Sequence, residues 1–169
     1  LAAAAATLMA SQVYAQQTSA TARMAGADGA DNGTVTFNQT KSGMLHIIVE
    51  MTSLAPGSHG LHIHEKGACD AAGGFESAGG HYAGGKEHGV NSEDGPHAGD
   101  LPNVHVGGNG VLKAELFTDR LSLGEGGANP LMDPDGSAIV LHAEPDDYAS
   151  APAGHAGDRV ACGVIEQPS

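Results

Sequence analysis

Short runs in which apolar and polar residues alternate, and short apolar runs of strand length, recur along this chain. The runs are "TVTFNQ" (34–39), "LHIIVEMT" (45–52), "VLKAELFT" (111–118), "SAIVLHAE" (137–144) and "RVACGVIE" (159–166). In the first run Val35 and Phe37 share one face, and a period of two is typical of a β-strand that buries one face. After residue 15 no long stretch has a convincing helical period of 3.6 residues. The pattern therefore predicts an all-β, antiparallel sandwich or barrel.

Two turn signals and two long irregular segments punctuate these runs. Asn32-Gly33 and Asn109-Gly110 are predicted to be turns between strands. Residues 66–103 are rich in glycine, and residues 143–158 are polar and contain two prolines. A loop as long as the first is uncommon in a compact domain unless it is functional or disordered. Metal ligation would explain how it stays ordered.

The amino-terminal stretch "LAAAAATLMASQVYAQQ" has the order of features of a secretory signal peptide. It lacks an initiating Met and a basic region, so residues 1–15 are predicted to be a truncated signal and residues 16–169 a single domain. The alternative is an Ala-rich tail. A membrane span needs about 20 apolar residues, and this run is shorter. We therefore expect an exported protein, periplasmic or extracellular, without a membrane span in the mature chain.

Charge and cysteine content restrict the possible partners and compartment. The net charge of −13 argues against nucleic acid and anionic membrane surfaces as partners. The chain has two cysteines, Cys69 and Cys162, far apart in sequence. In an oxidising compartment such a pair favours a disulfide that closes a long loop. The alternative is two unrelated buried thiols.

Ten histidines are many for 169 residues, and they divide into two sets. His46, His105 and His155 have no obvious ligand context, and His59 is expected to hydrogen-bond the backbone. His62 and His64 alternate with Leu61 and Ile63, so both imidazoles lie on one face of a strand within reach of one ion. The other candidate ligands are His81, His88, His97 and Asp100 in the Gly-rich segment and His142 at the end of an apolar strand.

The donor types restrict the chemistry of this set. Imidazole suits copper and zinc, and a carboxylate is tolerated in a tetrahedral zinc site. Closely spaced cysteine pairs, an H-E-x-x-H motif and a G-x-S-x-G motif are all missing from the sequence. A copper or zinc centre is therefore favoured over a thiolate zinc finger or a hydrolytic site.

Five motifs occur in a fixed order: "GLHIHEKGACD", "SAGGHYAGGKEHG", "GPHAGDLPN", "VLHAEPDD" and "GDRVACGVI". Over residues of about 57–166 the chain resembles the copper,zinc superoxide dismutase family, in particular its exported bacterial members. The resemblance implies an eight-stranded antiparallel Greek-key β-barrel with two long functional loops. It also implies disproportionation of superoxide to oxygen and hydrogen peroxide, and a possible homodimer.

The resemblance carries specific residue roles. It implies copper ligands His62, His64, His81 and His142, and zinc ligands His81, His88, His97 and Asp100. Asp146 would join a copper histidine to a zinc histidine, and Cys69 would form a disulfide with Cys162. The catalytic residues implied are Arg159, which would hold the superoxide anion, and His81, which would bridge both ions and supply a proton.

Two other functions share these ligands. A copper carrier would need the copper ligands but no guiding arginine, and a zinc-stabilised structural barrel would have lost copper ligands. Arg159 together with a complete ligand set favours the enzyme. Because residues 143–158 contain no Lys or Arg, and residues 66–103 contain only Lys66 and Lys86, we expect weak electrostatic steering of the anion.

Overall fold

The computed structural model describes residues 19–124 and 126–168. Its nine strands are β1 Ser19–Gly26, β2 Asp31–Gln39, β3 Leu45–Met51, β4 Gly57–His59, β5 Leu61–His64, β6 Val104–Val106, β7 Leu112–Thr118, β8 Ala138–His142 and β9 Arg159–Val164. The predicted signal peptide, residues 1–15, lies outside the described residues.

The strands form one curled seven-stranded sheet and a small two-stranded sheet. The order in the first is β5-β8-β9-β1-β2-β3-β7, and β4 pairs with β6 in the second. The pairings within both sheets are antiparallel. The all-β prediction is confirmed; the described residues form nine strands, of which β4 and β5 are separated by Gly60 alone, and the expected count of eight stays a prediction. Helical backbone in this part of the chain is limited to the 3-10 turns Ala71–Gly73 and Glu76–Ala78.

Within the described ranges, no helix is both long and apolar enough to cross a membrane.

The core follows from the alternation seen in the sequence. On β3 the side chains of Leu45, Ile47, Val49 and Met51 are buried, and the residues between them face outward. Val35 of β2 packs into the same core. Each fully buried aliphatic side chain of this size stabilises the fold by roughly 1.5–3 kcal/mol relative to exposure. On these two strands one face thus packs into the core and the other face points away from it.

The predicted turn at Asn32-Gly33 is wrong, because both residues lie inside β2. The pairing of β1 with β2 shifts there, so that Asn32 is an extra residue in the ladder. Gly33 has a φ of +121°, and a Cβ at this position would lie 2.2 Å from the carbonyl oxygen of Glu50. The Asn-Gly pair therefore forms a β-bulge. The turn at Asn109-Gly110 is confirmed between β6 and β7.

Strand β1 was not predicted, because its buried positions are mostly alanines. Ala20, Ala22 and Met24 alternate inward on this strand. Such small side chains give a weak hydrophobic signal in the sequence, and the strand is stabilised by neighbours on both sides. Strands β4 and β6, with three residues each, are too short to show a period.

Two long connections carry the candidate ligands, as expected. Residues 65–103 follow β5, and residues 143–158 join β8 to β9. A third long connection, residues 119–137, was not anticipated. The first loop is held against the outside of the sheet by a small apolar cluster in which Phe75 packs on Val140 and Cys162. Cys69 and Cys162 form a disulfide across this cluster.

Candidate metal centre

Strand β5 separates the core from the candidate centre. Leu61 and Ile63 point into the main hydrophobic core, while His62 and His64 lie on the other face, and all four are buried. Pairing of β5 with β8 places the end of β8 beside them. The register of β8 against β9 shifts between Leu141 and His142, so His142 sits at a strand irregularity. Bulges of this kind re-aim side chains next to functional sites.

The long loop returns to the free edge of β5. Isolated bridges pair His64 with His81 and His62 with Asp100. Gly99 lies tightly against β5, since a Cβ there would lie 2.3 Å from the carbonyl oxygen of Ile63. A side chain at this position would push the loop away from the strand. The backbone of the loop, and not only its side chains, therefore brings the histidines together.

The first group consists of His62, His64, His81 and His142. One donor atom from each lies within 4.8 Å of the others, and all four residues are buried.

Hydrogen bonds fix which nitrogen of each ring carries the proton. His64 Nδ1 donates to Gly79 O at 3.0 Å, and His142 Nδ1 donates to Gly157 O at 3.2 Å. A carbonyl can only accept, so the lone pair of both neutral rings is on Nε2. Those two Nε2 atoms face each other at 3.4 Å. Two lone pairs in this position repel unless a cation lies between them.

His62 and His81 complete the first group with unpaired nitrogens. His62 Nε2 donates to the Asp146 carboxylate at 2.8 Å, which leaves Nδ1 as the acceptor. That Nδ1 and the Nε2 of His81 are buried without a hydrogen-bond partner in the described chain. Buried polar atoms are nearly always paired with protein, water or an ion. The unpaired atoms are those that would ligate a metal.

The second group consists of His81, His88, His97 and Asp100. Asp100 Oδ1 lies 3.0, 3.1 and 3.3 Å from the Nδ1 atoms of His81, His88 and His97, respectively. Ligands about 2.0–2.1 Å from a tetrahedral zinc ion are separated by about 3.3 Å. The spacing and the closed set of four donors fit zinc. Asp100 Oδ2 accepts backbone N–H bonds from Gly89 and His97, which orients the carboxylate.

Asp146 connects the two groups. Its Oδ2 accepts from His62, and its Oδ1 accepts from His88 Nε2 at 3.1 Å. These bonds hold both rings with their other nitrogen directed at the donor groups. Gly154, at a φ of +65°, makes room for this arrangement, because a Cβ there would lie 1.9 Å from Asp146 Oδ1.

Burial keeps three imidazoles of the first group neutral, those of His62, His64 and His142. It lowers the pKa of His62 to about 4, of His142 to about 3 and of His64 to about 2, and neighbouring histidine charges add to the effect. Neutral imidazole is the form that binds metals. Burial alone would raise the pKa of Asp100, but hydrogen bonds from His81 and Gly89 lower it, so this carboxylate stays charged.

A cavity of about 550 Å³ opens onto the first group. His64, His81 and His142 line it, and so does Arg159. Arg159 Nη1 donates to Phe75 O and Nη2 donates to Gly79 O, both at 2.8 Å. A fixed guanidinium therefore faces the same space as the histidine nitrogens. An anion that enters this space would meet both a charge and a metal position.

The remaining histidines belong to neither group. His59 bonds the backbone through both ring nitrogens, to His142 O and Ala55 O. His46 pairs with Glu115, and His155 pairs with Asp147. The expectation of a backbone-bonded His59 is thus confirmed.

Several groups that position the side chains of the site were not identified from the sequence. The carbonyl of Gly79 holds both His64 and Arg159. Phe75 fixes the loop through its buried ring and supports Arg159 through its carbonyl. Arg120 donates to the backbone carbonyl of Asp100. Backbone acceptors have no signature in a sequence, and glycines such as Gly99 and Gly154 are the signal that could have suggested a close approach.

Comparison with known proteins gives the same picture as the geometry. Residues 31–165 match the family described as copper/zinc superoxide dismutase (SODC). A superoxide dismutase [Cu-Zn] from Caulobacter vibrioides is 44% identical over 154 residues, covering 88% of this chain and 86% of that protein. Superoxide dismutase [Cu-Zn] 1 from Aquifex aeolicus is 39% identical and covers 76% of each chain.

Solved structures share the fold. A crystal structure of a SOD-like protein from Bacillus subtilis superimposes with a TM-score of 0.81 at 38% identity, covering 85% of this chain and 96% of that one. The clock protein EA4 superimposes with a TM-score of 0.77 at 35% identity, covering 94% and 100%.

Proposed function

This chain belongs to the copper/zinc superoxide dismutase family, and on that premise we propose that its two histidine groups divide the metals between them. Copper is assigned to His62, His64, His81 and His142, and zinc to His81, His88, His97 and Asp100. The function is that of the family, the disproportionation of superoxide to oxygen and hydrogen peroxide.

The shapes of the two groups support this division. The first group lines an open cavity through three of its rings, so an ion there can be reached by a substrate. The second group is buried around one carboxylate oxygen of Asp100. Of its four residues, only His81 lines the cavity. Structural zinc sites are closed, four-coordinate and contain N and O ligands, whereas a redox ion needs an open position.

When bound, copper supplies one-electron redox chemistry, and zinc supplies a second positive charge beside the His81 ring. The residues of the protein bind and orient the superoxide anion and supply a proton to it. Arg159 keeps its charge at any working pH, and its position beside His64 and His142 suits it to hold the superoxide anion.

His81 is the single residue shared by both groups. Its Nδ1 faces Asp100, and its unpaired Nε2 faces the first group. We assign His81 Nε2 two alternating roles: it would hold copper, or, when free of copper, it would hold and deliver one of the two protons needed to make hydrogen peroxide from two superoxide anions. Asp146 keeps His62 and His88 in the required tautomers while this happens.

The observation that carries the assignment is the convergence of four unprotonated ring nitrogens at the first group. His64 Nε2 and His142 Nε2 face each other without a proton to share, and His62 Nδ1 and His81 Nε2 are buried and unpaired in the described chain. A copper carrier would use the same convergence. Arg159, which has no part in metal binding, favours the enzyme.

The test is superoxide removal by the purified chain in three forms: metal-free, loaded with zinc alone, and loaded with copper and zinc. We expect activity only in the form that contains copper. Stoichiometric copper binding without activity would indicate the carrier, and activity without copper would contradict the ligand assignment.

We also propose an exported location for the mature domain, residues 16–169. The Cys69–Cys162 disulfide supports it, since disulfides persist in oxidising compartments. The bacterial relatives are consistent with export. Fractionation of the expressing cell and mass measurement of the secreted chain test this proposal. A homodimer stays a prediction, which light scattering of the metal-loaded protein would check.

A further inference from the structure

We propose that Glu76 competes with the substrate anion for Arg159 and so limits the affinity of the active-site cavity for anions. The inference rests on the proposed function, because it takes Arg159 to be the group that holds superoxide. Its subject is a carboxylate outside both ligand groups.

Glu76 and Arg159 form an ion pair at the wall of the cavity. Glu76 Oε2 lies 3.5 Å from Arg159 Nη2, and both residues line the cavity that opens onto His64, His81 and His142. The Arg159 side chain is 15% exposed, whereas the Glu76 side chain is 78% exposed. The carboxylate therefore approaches the guanidinium from the solvent side, from which an anion would also approach.

The backbone keeps this carboxylate close to Arg159. Glu76 begins the 3-10 turn Glu76–Ala78, and the residues on either side of that turn, Phe75 and Gly79, supply the two carbonyls that hold the guanidinium. The short segment 75–79 thus holds Arg159 in place and also carries Glu76, the carboxylate that competes with an incoming anion. The loop cannot move Glu76 far from Arg159 without breaking the bonds that position Arg159.

The other charges at the cavity do not offset Glu76. Its charged lining residues are Glu76, Asp158 and Arg159, with no lysine. Residues 143–158, which border the cavity through Pro152 and Ala153, contain no Lys or Arg. The local balance of these side chains is negative, so an anion that binds Arg159 must displace Glu76 from the single cationic side chain of the lining.

The test compares Glu76→Gln with a matched control, Glu115→Gln. Glu115 is exposed, lies on β7, the edge strand opposite β5, and pairs with His46, and its replacement removes the same unit charge. Two quantities are measured on the copper- and zinc-loaded proteins: the Kd of azide from visible absorption, and kcat/KM for superoxide by pulse radiolysis.

Removal of a unit charge at this distance in a solvated site should tighten azide binding and raise kcat/KM by about two- to fivefold at low ionic strength. Glu115→Gln should change neither quantity. In an Arg159→Ala background the effect of Glu76→Gln should disappear, because the competition requires the guanidinium.

Three results would overturn the inference: no change in Glu76→Gln, an equal gain in Glu115→Gln, or a gain that persists without Arg159. Failure of the proposed function has a different signature. In that case the wild-type protein would bind copper and azide but would not remove superoxide, and the azide comparison would still test Glu76.

Discussion

His62 Nε2 lies 2.8 Å from Asp146 Oδ2, and both side chains are fully buried. The carboxylate can only accept in this bond, so it sets the tautomer of His62 and leaves Nδ1 free to ligate. The other oxygen of Asp146 does the same for His88. A residue that need not contact either ion thereby orients one ligand of each group.

Replacement of Asp146 by Asn should weaken metal binding. The amide offers one acceptor oxygen where the carboxylate has two, so an N–H of His62 or His88 would face the amide NH₂ group. We expect a loss of about 10- to 100-fold in affinity for copper, zinc or both. Competition with a chromophoric chelator measures it. Asp119→Asn, at an exposed position, is the control, and equal affinities in the two variants would refute the role.

Replacement of Arg159 by Ala should lower kcat/KM for superoxide by about 10- to 100-fold. The estimate takes the loss of a charge-assisted hydrogen bond, about 1.5–3 kcal/mol, as the loss of anion stabilisation. Copper and zinc contents should stay at wild-type levels, because Arg159 is in neither ligand group. Stopped-flow or pulse-radiolysis kinetics with metal analysis checks both. A near-normal rate in Arg159→Ala would exclude the assigned role.

Removal of the disulfide should destabilise the fold. The bond joins positions 93 residues apart, and in the chain-entropy model a loop of this length stabilises the folded state by about 4–5 kcal/mol. The double variant Cys69→Ala/Cys162→Ala should show most of that loss in urea unfolding of the metal-stripped protein. Wild-type protein treated with a thiol reductant is the matched comparison. An unchanged midpoint in both would contradict the prediction.

The metal-stripped protein should lose stability as the pH falls below about 6.5. His62, His64 and His142 have folded-state pKa values of about 4, about 2 and about 3, below the ordinary value of 6.5. Between these limits the unfolded chain binds more protons than the folded one, so acid favours unfolding. Each group contributes up to about 1.4 kcal/mol per pH unit.

Urea unfolding at pH 7.5, 6.5, 5.5 and 4.5 tests this pH dependence. We expect the free energy of unfolding to change little between pH 7.5 and 6.5 and to fall steeply at pH 5.5 and 4.5. His155→Ala is the control, since this exposed residue belongs to neither ligand group and should leave the slope unchanged. A free energy of unfolding that is flat from pH 6.5 to 4.5 would show that the three rings are not buried in their neutral form.

Prediction from the sequence succeeded where the signal is local. The alternation of Leu61 and Ile63 with His62 and His64 predicted a strand with a core face and an imidazole face, and β5 has both. It failed where local signals were weak or ambiguous. The alanines of β1 gave no clear pattern, and Asn32-Gly33 forms a bulge because the neighbouring strand approaches the glycine.

By itself, the sequence determined the all-β class and, through the order of its motifs, the family, and it predicted the candidate metal-binding side chains. Only the tertiary structure decided which nitrogen of each ring carries no proton. It also showed that Gly79 O accepts hydrogen bonds from both His64 and Arg159. It also placed Glu76 beside Arg159 at the wall of the cavity. The physical reason is that side-chain chemistry and strand periodicity are properties of the local sequence. Tautomers, backbone acceptors and ion pairs arise from segments that are distant in sequence and meet only when the barrel closes.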